Sequence, residues 1–468
     1  MSVKNETIKS EEKELVDDIS NVEFKNVENE ESLNQDLMAS LKAKMAAKKN
    51  EDNIRIEEQK KEEVMPPRII EKKKRSIEFG VVGSGQAGSR LSQSMYELGY
   101  PAIAFNTTAV DLEYIKIPEE NKLIFDYGIG GSAKNLNIGH DAAEANIDAI
   151  NALVSDKLNN AQVLLLCLSL AGGSGSGSAE TLVDVLSSTG KPVVVITILP
   201  MSTEDSQAKS NSLTTLSKLS KLVQNKKIAN LIVVDNAKLE AIYADVSQMD
   251  FFEVSNHAIV STIDVFNRYS SMPSKTKPMD QMEWAKILTD GEGLTIYGEM
   301  SVDQVEDPIA IAEAVIQNLN SGLLAGGFDL KQTRYAGVLF VGNSKIMNSL
   351  PSSSINYAME IIKENCPSAT NIFRGVYEDN TIKENVLKVY SIYSGLGLPT
   401  SRIDQLKKEA HEESAKVRGR EQTRNLSLNL DTGTEESVSA ADRVREAIKN
   451  KSSGFNKNFV GIKDFRKK

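Results

Sequence analysis

Ala171-Gly172-Gly173-Ser174-Gly175-Ser176-Gly177-Ser178 is the stretch on which the reading of this chain turns. It follows the apolar run Val163–Leu170 and precedes Ala179–Leu186, where apolar residues recur at helical spacing. A Gly/Ser stretch on its own is linker composition. Between a buried strand and a helix it is instead a turn whose backbone can approach a ligand, with N–H groups at the positive end of a helix dipole. The alternating serines add hydroxyl donors. A second loop of this kind, Gly83-Ser84-Gly85-Gln86-Ala87-Gly88, follows the apolar run Phe79–Val82. One such loop cradles a pyrophosphate. Two on neighbouring strands predict a longer polyphosphate held from both sides, hence a nucleoside triphosphate and phosphoryl chemistry.

The surrounding pattern supplies the scaffold. Apolar runs at Phe79–Val82, Ala102–Phe105, Leu123–Phe125, Val163–Leu170, Val193–Leu199 and Leu231–Val234 alternate with helical segments. Several lack polar alternation, as strands covered on both faces do, so an α/β fold with a doubly wound parallel sheet is expected. A long helix follows, roughly Met249 to Tyr269, with Phe252, Ile259, Ile263 and Phe266 at helical spacing, and Pro273 and Pro278 interrupt it. Strand-like runs at Leu294–Tyr297, Val338–Val341, Ile372–Gly375 and Val386–Ile392 then predict a smaller α+β domain. Residues 401–424 read as a polar helix.

Composition bounds the rest. The 468 residues are 40% hydrophobic and 26% charged, with a net charge of −10, which argues against a body that grips nucleic acid by itself. No run approaches the roughly 20 apolar residues of a membrane span, so no membrane insertion is expected. The polar N-terminus does not read as a signal peptide. Two cysteines, Cys167 and Cys366, give no disulfide framework and fit a reducing cytoplasm. Three histidines, His140, His257 and His411, are too scattered for a metal site. Residues 1–75 are charge-dense and expected to be largely disordered, with Leu33, Leu37, Leu41 and Met45 forming one short amphipathic helix. Residues 425–468 are expected to form a second disordered tail whose end, from Lys449 on, is basic.

Two other phosphate motifs compete. The first loop satisfies the dinucleotide fingerprint, but that reading wants an acid at the end of the second strand, and Phe105-Asn106-Thr107 has none; Asp111 lies further on. A P-loop is excluded because neither glycine loop carries a lysine.

In order along the chain, these motifs resemble the tubulin/FtsZ superfamily, more particularly its plasmid- and phage-encoded bacterial, TubZ-like branch. Gly172–Gly177 resembles the signature G-G-G-T-G-[ST]-G, with Gly173 on its third glycine, Ser174 on its threonine and Ala171 in place of its first glycine. The resemblance runs from about Ile77 to Arg402. It implies that Gly83–Gly88 is the first phosphate loop and that Asn106-Thr107 closes the second strand. It makes Gly128-Ile129-Gly130-Gly131-Ser132-Ala133 the loop that senses the γ-phosphate, and Glu204 the ribose-contacting acid. The segment after Glu204 lacks the arginine many relatives use near the ribose; Lys209 is the nearest cation. Asn236 and Asn256 are expected to read guanine, an amide offering a donor and an acceptor to its O6 and ring N–H, with Phe252 on the face of the base. The plainer readings make Asn236 a helix cap and Phe252 core.

Met279-Asp280-Gln281-Met282-Glu283-Trp284 resembles the family's catalytic synergy loop, where D-x-x-[DE] is common. Two carboxylates one helical turn apart can polarise one water. They are equally what a helix start favours. The resemblance places Asp280 and Glu283 in the next subunit's pocket, which implies head-to-tail contacts that do not close and so a filament. The implied organisation is a GTP-binding domain at 76–248, a central helix at 249–272, a C-terminal domain at 273–400 and a C-terminal helix at 401–424. The implied activity is GTP hydrolysis, with Mg2+ offsetting phosphate charge, in dynamic filaments that position plasmid or phage DNA. The basic tail would engage a DNA-binding adaptor, DNA itself or neighbouring filaments. A cell-division scaffold of the FtsZ kind and a nicotinamide-dependent enzyme are the alternatives.

Overall fold

The computed structural model describes residues 74–428 except 129, 248 and 322–326, and the backbone alone for 319–321 and 421–428. The amphipathic segment Leu33–Met45, the basic end and Ile129 lie outside the described residues.

Ten strands form one sheet: β1 (Phe79–Ser84), β2 (Ala102–Asn106), β3 (Lys122–Ile124), β4 (Val163–Ser169), β5 (Val193–Leu199), β6 (Asn230–Asp235), β7 (Leu294–Val302), β8 (Tyr335–Gly342), β9 (Asn371–Glu378) and β10 (Leu387–Leu396). Their order is β3-β2-β1-β4-β5-β6-β7-β10-β8-β9. From β3 to β6 all pairings are parallel. Every residue of β1, β5 and β6 is buried, as the unalternating apolar runs predicted. The chain order reverses between β1 and β4. That switch point leaves a crevice beyond the carboxyl ends of these two strands, where open α/β sheets bind ligands. Both glycine loops leave the sheet there.

Between and after the strands run α1 (Gly85–Glu97), α2 (Ala109–Glu113), α3 (Leu136–Ala145), α4 (Ile147–Lys157), α5 (Ser174–Ser188), α6 (Ser206–Gln224), α7 (Asn236–Ile242), α8 (Phe251–Tyr269), α9 (Gln281–Thr289), α10 (Pro308–Ser321), α11 (Ser344–Ser349), α12 (Ser352–Asn365) and α13 (Thr400–Leu428). The long central helix is α8, whose buried Ile259, Ile263 and Phe266 are three of the residues picked out by spacing. Helix starts follow side-chain chemistry: Asp205, Asp235 and Asn343 each accept a backbone N–H at the start of α6, α7 and α11.

The later strands are mixed. β10 runs antiparallel to β7 and β8, and β9 parallel to β8. They do not form a second, detached sheet. β7 joins β6 in parallel through Leu231↔Leu294 and Ile232↔Thr295, and Asn230 seals the joint by accepting from Thr295 Oγ1 at 2.7 Å and donating to Leu288 O at 3.1 Å. Cys167 lies in the core on β4, where burial pushes its thiol up to about 12, consistent with a structural role.

Candidate nucleotide site

The two glycine loops are pressed backbone to backbone. A Cβ on Gly85, which has φ +71°, would stand 2.9 Å from Gly175 N, and a Cβ on Gly175 would stand 2.7 Å from Ser84 O. Neither position admits a side chain. Gly172 is different: a Cβ there would meet nothing of the protein within 4 Å. Packing does not require a glycine at that point, yet Gly172 to Gly175 line a cavity of about 420 Å3. Helix α5 begins at this cavity with no side-chain cap, so the N–H groups of its first turn are left for a ligand.

The serine hydroxyls of the loop bind its neighbours. Ser174 Oγ is 2.6 Å from Thr107 Oγ1 and 3.0 Å from Ser132 Oγ, so one hydroxyl joins three loops. Ser176 donates to Ser169 O, and Ser178 pairs with Ser84 behind the site. These hydroxyls are spent on holding the cradle, which leaves backbone N–H groups as its principal donors.

The third loop is built under strain. Ala133 and Lys134 sit at φ 46° and 61°, in the left-handed region that non-glycine residues avoid. Helix α6 holds them there: Gln207 and Asn211 donate to Lys134 O at 3.1 and 2.8 Å, and Asn211 also reaches Ala171 O. Lys134 Nζ pairs with Asp205 at 2.7 Å. Burial acts against the Asp205 carboxylate, but Lys134 and the Ala208 N–H outweigh it and hold its pKa below the usual value. Gly131 N donates to Thr107 O, fixing Gly130-Gly131-Ser132 over the second strand.

At the other end of the cavity stand Phe252, Asn236 and Glu204. Phe252 is 36% exposed, with the Arg90 guanidinium 4.8 Å from its ring centroid and the Phe251 ring edge-on at 5.3 Å. Its uncovered surface is therefore open to a flat ring. Glu204 Oε1 accepts from Met201 N at 3.1 Å, so one oxygen of this half-buried carboxylate is used in the loop. The cap of α7 is Asp235, not Asn236, so the Asn236 amide is left to the cavity.

Of the expected site residues, Ser84, Gly85, Gln86, Ala87, Gly131, Ser132, Gly172, Gly173, Ser174, Gly175, Glu204, Asn236 and Phe252 line one cavity. Gly83, Gly88, Asn106, Thr107, Gly130, Ser176 and Gly177 lie next to lining residues in the same loops but do not line it themselves. Asn256, one turn beyond Phe252 on α8, is buried and does not line it. Lys209 is also off the cavity, buried against Glu413. Thr108, Asp111, Lys134 and Met201 line the cavity without having been picked out as site residues. Asp111 accepts from Gln86 Nε2 at 3.2 Å and Asn106 Nδ2 at 3.0 Å, so it braces the first loop against the second strand.

Asp280 and Glu283 do not border this cavity. They form a reciprocal capping box: Asp280 Oδ1 accepts from Glu283 N at 2.8 Å and Glu283 Oε2 accepts from Asp280 N at 3.0 Å. The helix-start reading is thus correct for their local role. Each carboxylate uses one oxygen, and the bonds leave Asp280 Oδ2 and Glu283 Oε1 for other partners, with Lys277 Nζ 4.0 Å from the latter. The loop is pinned by Met279, whose N–H donates to Tyr377 Oη at 2.8 Å, and by Trp284, stacked on Phe266.

Lys134 is the only lysine or arginine among the described residues lining the cavity, and it is already paired. No group of His, Cys, Asp and Glu among the described residues is arranged to hold a metal ion alone. The donor set suits a polyphosphate that brings its own cation. Mg2+ fits this, since it binds through phosphate oxygens, waters and one or two protein oxygens instead of an all-protein cage. Among the described residues no helix is long and apolar enough to cross a membrane.

Residues 78–244 match the profile of the Tubulin/FtsZ family, GTPase domain. The chain is 25% identical over 324 residues to the tubulin-like protein CetZ of Pyrococcus horikoshii, spanning 68% of this chain and 85% of that one. It is 23% identical over 357 residues to cell division protein FtsZ 1 of Thermococcus kodakarensis, covering 75% and 87%. A GTPγS-form protofilament structure of Bacillus thuringiensis serovar israelensis TubZ superposes with a TM-score of 0.65 at 20% identity, covering 76% of this chain and 95% of that one.

Proposed function

We propose that this chain, whose residues 78–244 match the GTPase domain of the tubulin/FtsZ family, is a GTPase of that family that binds GTP beyond β1 and β4 and hydrolyses it between subunits of a head-to-tail filament. The observation that carries this is the cradle: two loops that admit no side chain where they meet, and one glycine, Gly172, that lines the cavity and whose Cβ would meet no protein atom within 4 Å. The triphosphate lies along the N-termini of α1 and α5. Gly131 and Ser132 meet its γ-phosphate, Glu204 the ribose, and Asn236 and Phe252 the base; Asn256, buried one turn beyond Phe252, supports that end of the site from behind. Mg2+ supplies charge compensation on the phosphates.

Hydrolysis needs a group that holds an in-line water, and the two acids that line the cavity are engaged in bracing it, Asp111 by Gln86 and Asn106 and Glu204 by Met201 N. Asp280 Oδ2 and Glu283 Oε1 of an adjacent subunit fill that role. The water oxygen attacks the γ-phosphorus, its proton passes to a carboxylate, and the bond to the β–γ bridging oxygen breaks to give GDP and phosphate. The nicotinamide reading falls away with the family assignment.

The finer role we propose is the positioning of plasmid or phage DNA by such filaments, with the basic stretch from Lys449 as the attachment for a DNA-binding adaptor. A cell-division scaffold is the second reading, favoured by the identity to FtsZ relatives. Light scattering with GTP, GDP and a slowly hydrolysed analogue, over a range of protein concentrations, tests the core of the proposal. Turnover per subunit should rise steeply once scattering appears. Turnover that is constant down to dilute monomer would refute catalysis in trans. Removing residues 449–468 should leave assembly intact and abolish cargo capture.

A further inference from the structure

Two ion-pair clusters, one buried and one with its carboxylates partly exposed, tie the C-terminal helix to the segments that follow β5 and β6. Arg402, in the first turn of α13, donates to both oxygens of Asp235, from Nε at 2.6 Å and Nη2 at 3.2 Å, with both side chains under a tenth exposed. Asp235 Oδ1 also caps α7 through Ala237 N at 3.2 Å. The residue between them is Asn236. Three turns along α13, Glu413 Oε1 lies 2.5 Å from Lys209 Nζ, and Lys209, which is 1% exposed, also donates to Ser202 O at 3.0 Å. Ser202 stands two residues before Glu204 in the loop after β5. Glu409 lies between the clusters, 3.5 Å from Lys209 and 3.6 Å from Arg402.

The spacing explains why one helix reaches both loops. Arg402, Leu406, Glu409 and Glu413 recur at helical period, and the buried Leu406 and Ala410 seat that face. The two loops are also tied to each other, since Ser202 N and Oγ both donate to Glu240 on α7. A bidentate guanidinium fixes a carboxylate in plane and direction in a way a single ammonium does not.

We propose that Arg402 and Lys209 are positioning residues for nucleotide recognition, Arg402 aiming Asn236 at the base and Lys209 holding the Glu204 loop at the ribose, so that docking of α13 and GTP binding reinforce each other. This rests on the guanine site read above. Because coupling between two sites is reciprocal, whatever factor α13 docking adds to GTP affinity, GTP adds to α13 docking. The nucleotide thereby controls how firmly the chain beyond Thr400 is held.

The test uses the full chain and three probes: GTP, ATP and inorganic tripolyphosphate. Arg402→Lys keeps the charge and loses the fork. It should reduce the preference for GTP over ATP by about tenfold, within the usual range of such couplings, while tripolyphosphate, which sees only the glycine loops, binds as before. Glu413→Gln is milder, because Glu413 is one-third exposed. In hydrogen exchange it should remove the extra protection that GTP confers on the amides of residues 400–413 in the unaltered chain. An Arg402→Lys protein with native circular dichroism and an unchanged GTP/ATP ratio would overturn the proposal. So would parallel loss of tripolyphosphate binding, which marks general damage, or α13 amides that exchange alike with and without GTP. Failure of the unaltered chain to prefer GTP over ATP would instead overturn the guanine site itself.

Discussion

Asp280 carries two loads, and a choice of substitution separates them. It caps α9 and, in the proposed mechanism, holds the water that attacks GTP in the next subunit. Asp280→Ala removes both at once. Loss of the cap alone costs about 0.5–2 kcal/mol, and it loosens a helix whose Trp284, Ile287 and Leu288 are fully buried, so slow hydrolysis in that variant proves nothing. Asp280→Asn is the informative change. Asparagine caps as well as aspartate does, and its amide oxygen can take the 2.8 Å bond from Glu283 N. What it lacks is the charge and basicity. A general base contributes roughly 10^2–10^4 in rate, so phosphate release per pelleted subunit should fall at least about 100-fold, while thermal unfolding and GTP-dependent pelleting stay unaltered. Glu283→Gln is the matching change, because a capping box accepts glutamine at its third position. The measurement is phosphate release normalised to sedimented polymer. An Asp280→Asn filament that releases phosphate at the native rate would end the assignment and leave the pair as a capping device alone.

Gly172→Ala should leave thermal stability unchanged, because its Cβ meets no protein atom, and should weaken GTP binding at least tenfold by occupying the cradle; calorimetry reads both. Gly175→Ala should do the reverse in part, lowering the thermal midpoint as well, because its Cβ is forced to 2.7 Å from Ser84 O. Phe252→Ala should weaken GTP by the worth of one base–aromatic stack, about 1–3 kcal/mol, with tripolyphosphate binding untouched. The acid limb of stability should depend on Asp379. Burial acts to raise its pKa, but the Thr381 and Tyr269 hydroxyls and Arg268 outweigh this and hold it below its ordinary 3.8. A carboxylate depressed in the folded state stabilises above its unfolded pKa, and that contribution fades as pH falls through the lower folded value. Asp379→Asn should therefore flatten the loss of stability below about pH 4 in urea titrations.

Where local chemistry and global position coincide, the sequence was legible. The central strands of the parallel half are buried on both faces, so β4 and β5 show as almost wholly apolar runs; the glycine loops show because backbone contact excludes a side chain at Gly85 and Gly175. The cavity's inner bracing was not legible. Asn211 is an ordinary polar residue within a helix in sequence, and only folding brings its amide to Lys134 O and Ala171 O at once. In a dinucleotide scheme Asp111 lies beyond the end of the second strand and has no role; in the folded chain it accepts from Asn106 and Gln86. The junction of β6 with β7 left no trace either, since two residue pairs and the side chain of Asn230 carry it.

Asp280 and Glu283 show a limit of a different kind. A capping box and a water-polarising pair ask for the same residue types at the same spacing, because both need carboxylates one helical turn apart. No sequence pattern can separate the two roles, and the fold of one chain does not either: the box closes within the subunit and uses one oxygen of each acid. The remaining oxygens are the only part of the arrangement that the cap does not explain. Their purpose is a property of two chains, which is why the decisive variants are those that keep the cap and change only the charge.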